Sequence, residues 1–181
     1  MFTIQLGHPK IMNIPEQEFE AIKDVFLSLF ESQEESMFLF WNQIPIRFRY
    51  KEDLHWSFND MLALAWMLQK ERKGETKARF QNQLLTITLT CIWNDDDLSI
   101  QAHFEPFEHL YEPYAAALNQ SNTLNLSKTQ FLGEWKTLFH QVLVSLEASK
   151  CTIKDGVERR RLELLRHTEK SIKSYGRLYV K

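Results

Sequence analysis

The sequence predicts an α+β fold: an antiparallel sheet of about three to five strands with helices packed on one face, plus a charged C-terminal helix. Three observations lead there. Leu84 to Phe104 alternates apolar and polar residues on both sides of a turn at Asn94 to Asp97, as a hairpin with one buried face does. Segments beginning near Asn13, Ser57 and Ser127 carry apolar residues at helical spacing. Finally, 181 residues with 44% apolar and 13% aromatic content suffice for a single buried core. A single domain over 1–181 is expected, with 152–176 a charged C-terminal helix that lies on the surface or docks on something else.

Phe2, Ile4 and Leu6 alternate with polar residues as a short strand that Gly7 and Pro9 end. Asn13 with Glu16 three residues on has the pattern of a capping box, and Phe19, Ile22, Phe26, Leu29 and Phe30 supply the buried stripe of the helix it would open. Met37 to Trp41 leads into Ile44, Ile46, Phe48 and Tyr50, a half-buried strand. Pro45 within it, unable to donate a ladder hydrogen bond, marks a sheet edge or a strand start. Ser57 with Asp60 reads as the next helix start, with Gly74 as its stop.

The hairpin register follows from its turn. Pairing Trp93 with Leu98 sets Cys91 opposite Ile100, Leu89 opposite Ala102 and Ile87 opposite Phe104, all apolar. The other side pairs Ile92 with Ser99, Thr90 with Gln101 and Thr88 with His103, a polar, uncharged face open to a partner. A short helix is expected around Tyr114 to Leu118. Ser127 with Gln130 then opens the strongest helix, whose stripe holds Phe131, Trp135, Leu138, Val142 and Leu146. The last helix, from about Asp155 to Tyr175, shows a narrow apolar seam of Val157, Leu162, Leu165 and Ile172.

Charge is divided along the chain. Phe80 to Ser127, forty-eight residues, contains no Lys or Arg but six carboxylates: Asp95, Asp96, Asp97, Glu105, Glu108 and Glu112. Lys154 to Lys181 holds nine Lys and Arg against four acids, an asymmetry that the net charge of -2 conceals. A one-signed stretch of this kind suits a cationic partner. Trp56, beside His55 in a polar stretch, is the tryptophan expected to be exposed and to anchor an interface.

Chemistry has few candidates. His103, Glu105, Glu108, His109 and Glu112 are the one cluster with imidazole and carboxylate for a metal or for acid and base work, but their spacing matches no metal motif. Asp95 to Asp97 lack the alternation, glycine and distal Glu of a calcium loop. Arg159, Arg160, Arg161, Arg166, Lys170 and Lys173 suit a phosphate backbone, yet Glu158, Glu163 and Glu169 are interleaved among them, so a solvated, salt-bridged helix face is the simpler reading. Cys91 and Cys151 are expected as free thiols of a reducing, cytoplasmic setting. Met1 to Lys10 shows no signal-peptide pattern, and the longest apolar run, Met61 to Leu68, is eight residues, too short to span a membrane.

The stretch Phe38 to Leu146, through LFWNQIPIRFRY, FNDMLALAWML, TLTCIWNDDDLSIQAHF, YAAALN and LSKTQFLGEWKTLF, resembles immunity proteins of bacterial polymorphic-toxin and contact-dependent inhibition systems. The matching positions are fold-determining apolar and aromatic ones, and no catalytic residue or cofactor is carried over. The resemblance implies a protein without chemistry of its own that binds a cognate toxin domain and blocks it. Were that toxin a nuclease with a basic groove, Asp95 to Asp97 with Glu105, Glu108 and Glu112 would steer association. Two other classes remain open on the residues alone: an enzyme or small-molecule binder using His103 and His109, and a nucleic-acid binding module led by the C-terminal helix.

Overall fold

The computed structural model describes residues 1–12, 14, 16–31 and 35–173. In chain order its elements are β1 (Phe2–Gln5), β2 (Glu18–Phe19), α1 (Ile22–Leu29), β3 (Ser36–Trp41), β4 (Ile44–Arg49), α2 (Asp53–Lys70), β5 (Lys73–Gln81), β6 (Leu85–Asn94), β7 (Asp97–Pro106), α3 (Glu112–Gln120), β8 (Thr123–Ser127), α4 (Lys128–Ala148), β9 (Thr152–Ile153) and α5 (Gly156–Ser171). This is the α+β class. The strands form antiparallel sheets of three (β1-β3-β4) and four (β5-β6-β7-β8), with a parallel β2-β9 pair.

The two sheets face each other across apolar side chains. Leu39, Trp41 and Ile46 of the first and Phe80, Ile87, Leu89 and Phe104 of the second line a common gap, where Trp41 meets Phe104 edge-on with centroids 5.6 Å apart. Helix α4 closes one side of this layer. Its Trp135 reaches Phe2 of the first sheet (5.9 Å) and Phe80 of the second (5.7 Å), then continues through Phe139, Phe58 and Phe26 toward α1. Edge-to-face and offset pairs of this kind add to the burial of the rings themselves.

The central hairpin takes the register its alternation predicts: Trp93 opposite Leu98, Cys91 opposite Ile100, Leu89 opposite Ala102, Ile87 opposite Phe104. The ladder extends one pair further, Asn94 opposite Asp97, so only Asp95 and Asp96 turn, with Asp95 at φ 53°. The β3-β4 hairpin turns through Asn42 and Gln43, both at positive φ (46° and 73°), the handedness that a two-residue hairpin requires.

Both edges of the three-stranded sheet are closed by side chains. At β1, Ile4 N–H donates to the buried Glu134 carboxylate of α4 (2.7 Å). Along β4, where Pro45 was expected at an edge, Tyr114 Oη donates to the Pro45 carbonyl (2.6 Å), Asn82 Nδ2 to the Arg47 carbonyl (2.8 Å), and Arg49 N–H to Asp53 Oδ2 (2.7 Å). Unpaired strand edges invite other chains. Here three neighbouring elements occupy the outward backbone groups.

Several expectations are corrected. Helix α1 starts at Ile22 rather than near Asn13, which lies outside the described residues; Glu16 stands in a bend and Phe19 in β2. The reason is tertiary: Glu18 and Phe19 pair with Thr152 and Ile153, and Ile22 N–H donates to Glu158 Oε2 of α5 (3.1 Å), which serves where no local cap does. Helix α2 begins at Asp53, and Ser57 is buried inside it, where its hydroxyl donates to the Gln81 carbonyl and accepts from the Gln81 N–H (both 2.8 Å). Gly74 is not its stop. It lies in β5, where an added Cβ would fall 2.5 Å from the Trp93 ring. The helix expected around Tyr114 exists as α3, and Ser127 Oγ accepts from Gln130 N–H at the start of α4 as its pattern requires. Helix α5 docks on α2 and α4 through buried Leu165, Thr168 and Ile172, while Val157 of the expected seam is exposed. Its ion pairs reach partly to α4, with Arg166 near Glu147 and Glu169 near His140, rather than only along its own face.

Asn82, almost fully buried, also accepts Leu84 and Leu85 N–H at Oδ1 (2.9 and 2.8 Å), so one amide shapes the β5-β6 turn and ties it to β4. Asn82→Ala strands two donors and an acceptor; we expect a loss of about 3 kcal/mol of unfolding free energy in urea titrations. Asp53 gives a pH signature. Burial raises its carboxyl from 3.8 to about 6, against the pull of Arg49 and Arg47. The native state therefore keeps a proton that the unfolded chain has released between these values, so stability falls as pH rises from about 4 to about 6, by up to about 3 kcal/mol from this group. Asp53→Asn should flatten that part of the stability curve in urea midpoints measured from pH 3.5 to 7.

Candidate functional site at the ends of an open sheet face

The outer face of the four-stranded sheet is open to solvent except at buried Thr86, and the register lays it out in rows. Lys73, Asn94, Asp97 and Ser127 form the first; Glu75, Ile92, Ser99 and Asn125 the second; Lys77, Thr90, Gln101 and Thr123 the third. Arg79, Thr88 and His103, then Gln81, Thr86 and Glu105, complete it. Asp97, Ser99, Gln101, His103 and Glu105 are all exposed along β7. Strand β5, which the sequence reading did not resolve, brings Lys73, Lys77 and Arg79 beside the stretch that lacks bases of its own.

The six carboxylates do not gather into one patch. Asp97 and Glu105 sit at opposite ends of β7, roughly 26 Å apart at about 3.3 Å per residue. At the first end, Asp95 and Asp96 hold structure. Asp95 is ion-paired with Arg72, and its N–H donates to the Arg72 carbonyl (2.7 Å). Asp96 Oδ1 accepts from Thr129 N–H and Thr129 Oγ1 (2.8 and 2.7 Å), and its carbonyl accepts from Lys128 N–H, so this turn caps α4 together with Ser127. A carboxylate there also meets the positive end of the helix dipole.

The second end is different in kind. After Pro106 the chain runs through Phe107 and Glu108 into a single 3-10 turn, His109–Tyr111, before α3 begins at Glu112. Glu108 and Glu112 therefore do not share one helix, and Glu105 belongs to β7, paired with Thr86, rather than capping anything. His109 pairs with Glu112, whose carboxylate raises the imidazole above its ordinary value. Phe107 is 49% exposed and Leu110 77% exposed between these acids. The segment is nonetheless anchored: Phe107 N–H donates to the Leu84 carbonyl (3.0 Å), Asn119 brackets Phe104 through its N–H and carbonyl (3.0 and 2.8 Å), and Tyr114 holds Pro45.

Trp56 is exposed as expected (49%), and Trp66 is exposed further along α2. Because neighbouring Ser57 is bonded to Gln81, in the row that holds Glu105, Trp56 belongs to the same end of the molecule as Glu105, Glu108 and Glu112. Sequence reading missed Phe107 and Leu110; the signal was two large apolar residues placed among carboxylates with no helical or strand period to bury them. His103 lies on the open face beside Thr88, away from the His109 and Glu112 pair. Among the described residues no three of His, Cys, Asp and Glu are grouped as a metal ion would need. Cys91 is buried and Cys151 half-buried, both free thiols, with burial pushing the Cys91 thiol up to about 12. No helix among the described residues is long and apolar enough to cross a membrane.

No protein-family model, curated protein or solved structure matches the chain.

The two ends differ in what their acids do, and stability tests the difference. Asp96→Ala should cost about 1 to 2 kcal/mol by uncapping α4, while Asp97→Ala, exposed in the first row, should stay within about 0.5 kcal/mol of the parent in chemical denaturation.

Proposed function

We propose that this protein is an immunity-type inhibitor, which docks through the segment from Glu105 to Glu112 on a basic toxin domain and covers its active site or substrate groove. One observation supports this above the others: Phe107 and Leu110 stand exposed among Glu105, Glu108 and Glu112 on a connection that Phe107 N–H ties to the β5-β6 turn, just before a helix, α3, that is bonded to β4 and β7. Exposed apolar anchors on a held backbone lose little conformational entropy on docking and gain by leaving water. Carboxylates around them attract a cationic surface before contact and disfavour an acidic one.

In this reading the roles divide. Phe107 and Leu110 enter an apolar depression of the partner and set the lifetime of the complex. Glu105, Glu108 and Glu112 face its bases, where a nuclease would otherwise hold phosphate. Trp56 extends the contact at the same end. The sequence resemblance to immunity proteins, carried by Phe38 to Leu146, points the same way.

Co-expression with the product of the neighbouring gene, read by co-purification and by growth, tests the proposal. The parent chain should form the complex and restore growth. Phe107→Ala with Leu110→Ala should weaken binding by about 10- to 100-fold, chiefly through faster dissociation. Glu105→Lys, Glu108→Lys and Glu112→Lys together should slow association at low salt, with the difference shrinking as salt rises. A toxic neighbour that this chain neither binds nor neutralises, or a complex indifferent to both variants, would refute it.

A further inference from the structure

A cavity of about 260 Å³ opens between the last turn of α2, the first turn of α4 and the end of α5. Its polar lining includes Lys70, Lys128, Thr129, His167, Ser171 and Lys173, its floor is Leu68, Leu132 and Ile172, and no carboxylate lines it. In a chain with 24 acids and 22 bases, three lysines and a histidine converging without an acid is not the background composition. Among the described residues neither Lys70 nor Lys173 has a carboxylate within ion-pair distance, whereas Lys128 Nζ donates to the Glu71 carbonyl (3.0 Å) and is held at the rim.

We infer that this cavity binds a small phosphate-bearing anion, with Lys70, Lys128 and Lys173 supplying charge and the Ser171 hydroxyl supplying a donor, the Thr129 hydroxyl being already donated to Asp96 behind it. The volume suits a phosphate group with a short substituent against the apolar floor, and is small for a whole nucleotide. The inference is independent of the partner surface around Phe107. Its competitor is concrete: Lys70 ends α2 and Lys173 follows α5, so both could serve only the negative ends of those helices. That role would confer stability without any preference for phosphate.

Thermal unfolding of the full chain separates the two. With 10 mM inorganic phosphate against chloride at matched ionic strength and pH, the midpoint should rise by about 3 °C, as a site of roughly millimolar affinity produces in a protein of this size. Glycerol 3-phosphate should raise it further if the natural ligand is a monoester, and no more than phosphate if it is the free ion. Lys70→Ala with Lys173→Ala, both exposed and expected to fold, should abolish the phosphate-specific rise, while Lys23→Ala with Lys154→Ala leaves it intact. An equal rise in chloride, or one that persists in the Lys70 and Lys173 variant, would overturn the inference.

Discussion

A three-stranded sheet enclosed on its edges by other elements cannot leave its outward backbone groups unpaired, and most of this fold can be understood as the answer to that constraint. The Ile4 N–H is buried and the outward groups of β4 are part-buried or nearer solvent, and where water is kept away an unmade hydrogen bond costs about 1 to 3 kcal/mol. The chain meets the need with side chains from α4, α2, α3 and the β5-β6 turn: Glu134, Asp53, Tyr114 and Asn82. Each of these fixes its own element against the sheet. The arrangement buries Asp53, and that burial raises its carboxyl to about 6.

The aromatic core then follows from where those contacts hold the helices. Once Glu134 is bonded to β1, its neighbour Trp135 is carried into the space between the sheets, where Phe2 and Phe80 flank it. The same framework leaves one sheet face and one connection outside the core. The open face is mostly polar, with Ile92 exposed on it, and the connection after Pro106 leaves Phe107 and Leu110 in water. Function proposed for the protein rests on that contrast between an apolar side chain buried in the core and one left uncovered on a hydrogen-bonded connection.

Much of this was legible in the residues, and what was not has identifiable causes. The β6-β7 register could be read because every inward pair was apolar and a one-residue slip would have inverted the faces. Helix α4 could be read from Ser127, Gln130 and its apolar stripe. Strand β5 was hidden because it is an edge strand whose exposed face is Lys73, Glu75, Lys77 and Arg79 and whose only fully buried apolar residues are Ala78 and Phe80. Helix α1 was placed too early because Phe19 fits its period; only the distant pairing with Ile153 takes that residue into a strand. The acidic residues could be found but not sorted. Their sequence proximity says nothing of whether a carboxylate will cap a helix, as Asp96 does, or stand beside an exposed phenyl ring.

The parallel pairing of β2 with β9 has a kinetic consequence. Ile22 and Glu158, whose bond completes the start of α1, are separated by 136 positions in the chain. Closing so long a loop is entropically slow, and on the ribosome it must await the synthesis of Glu158. The start of α1 is therefore sealed only after β9 and the first turn of α5 exist to receive it.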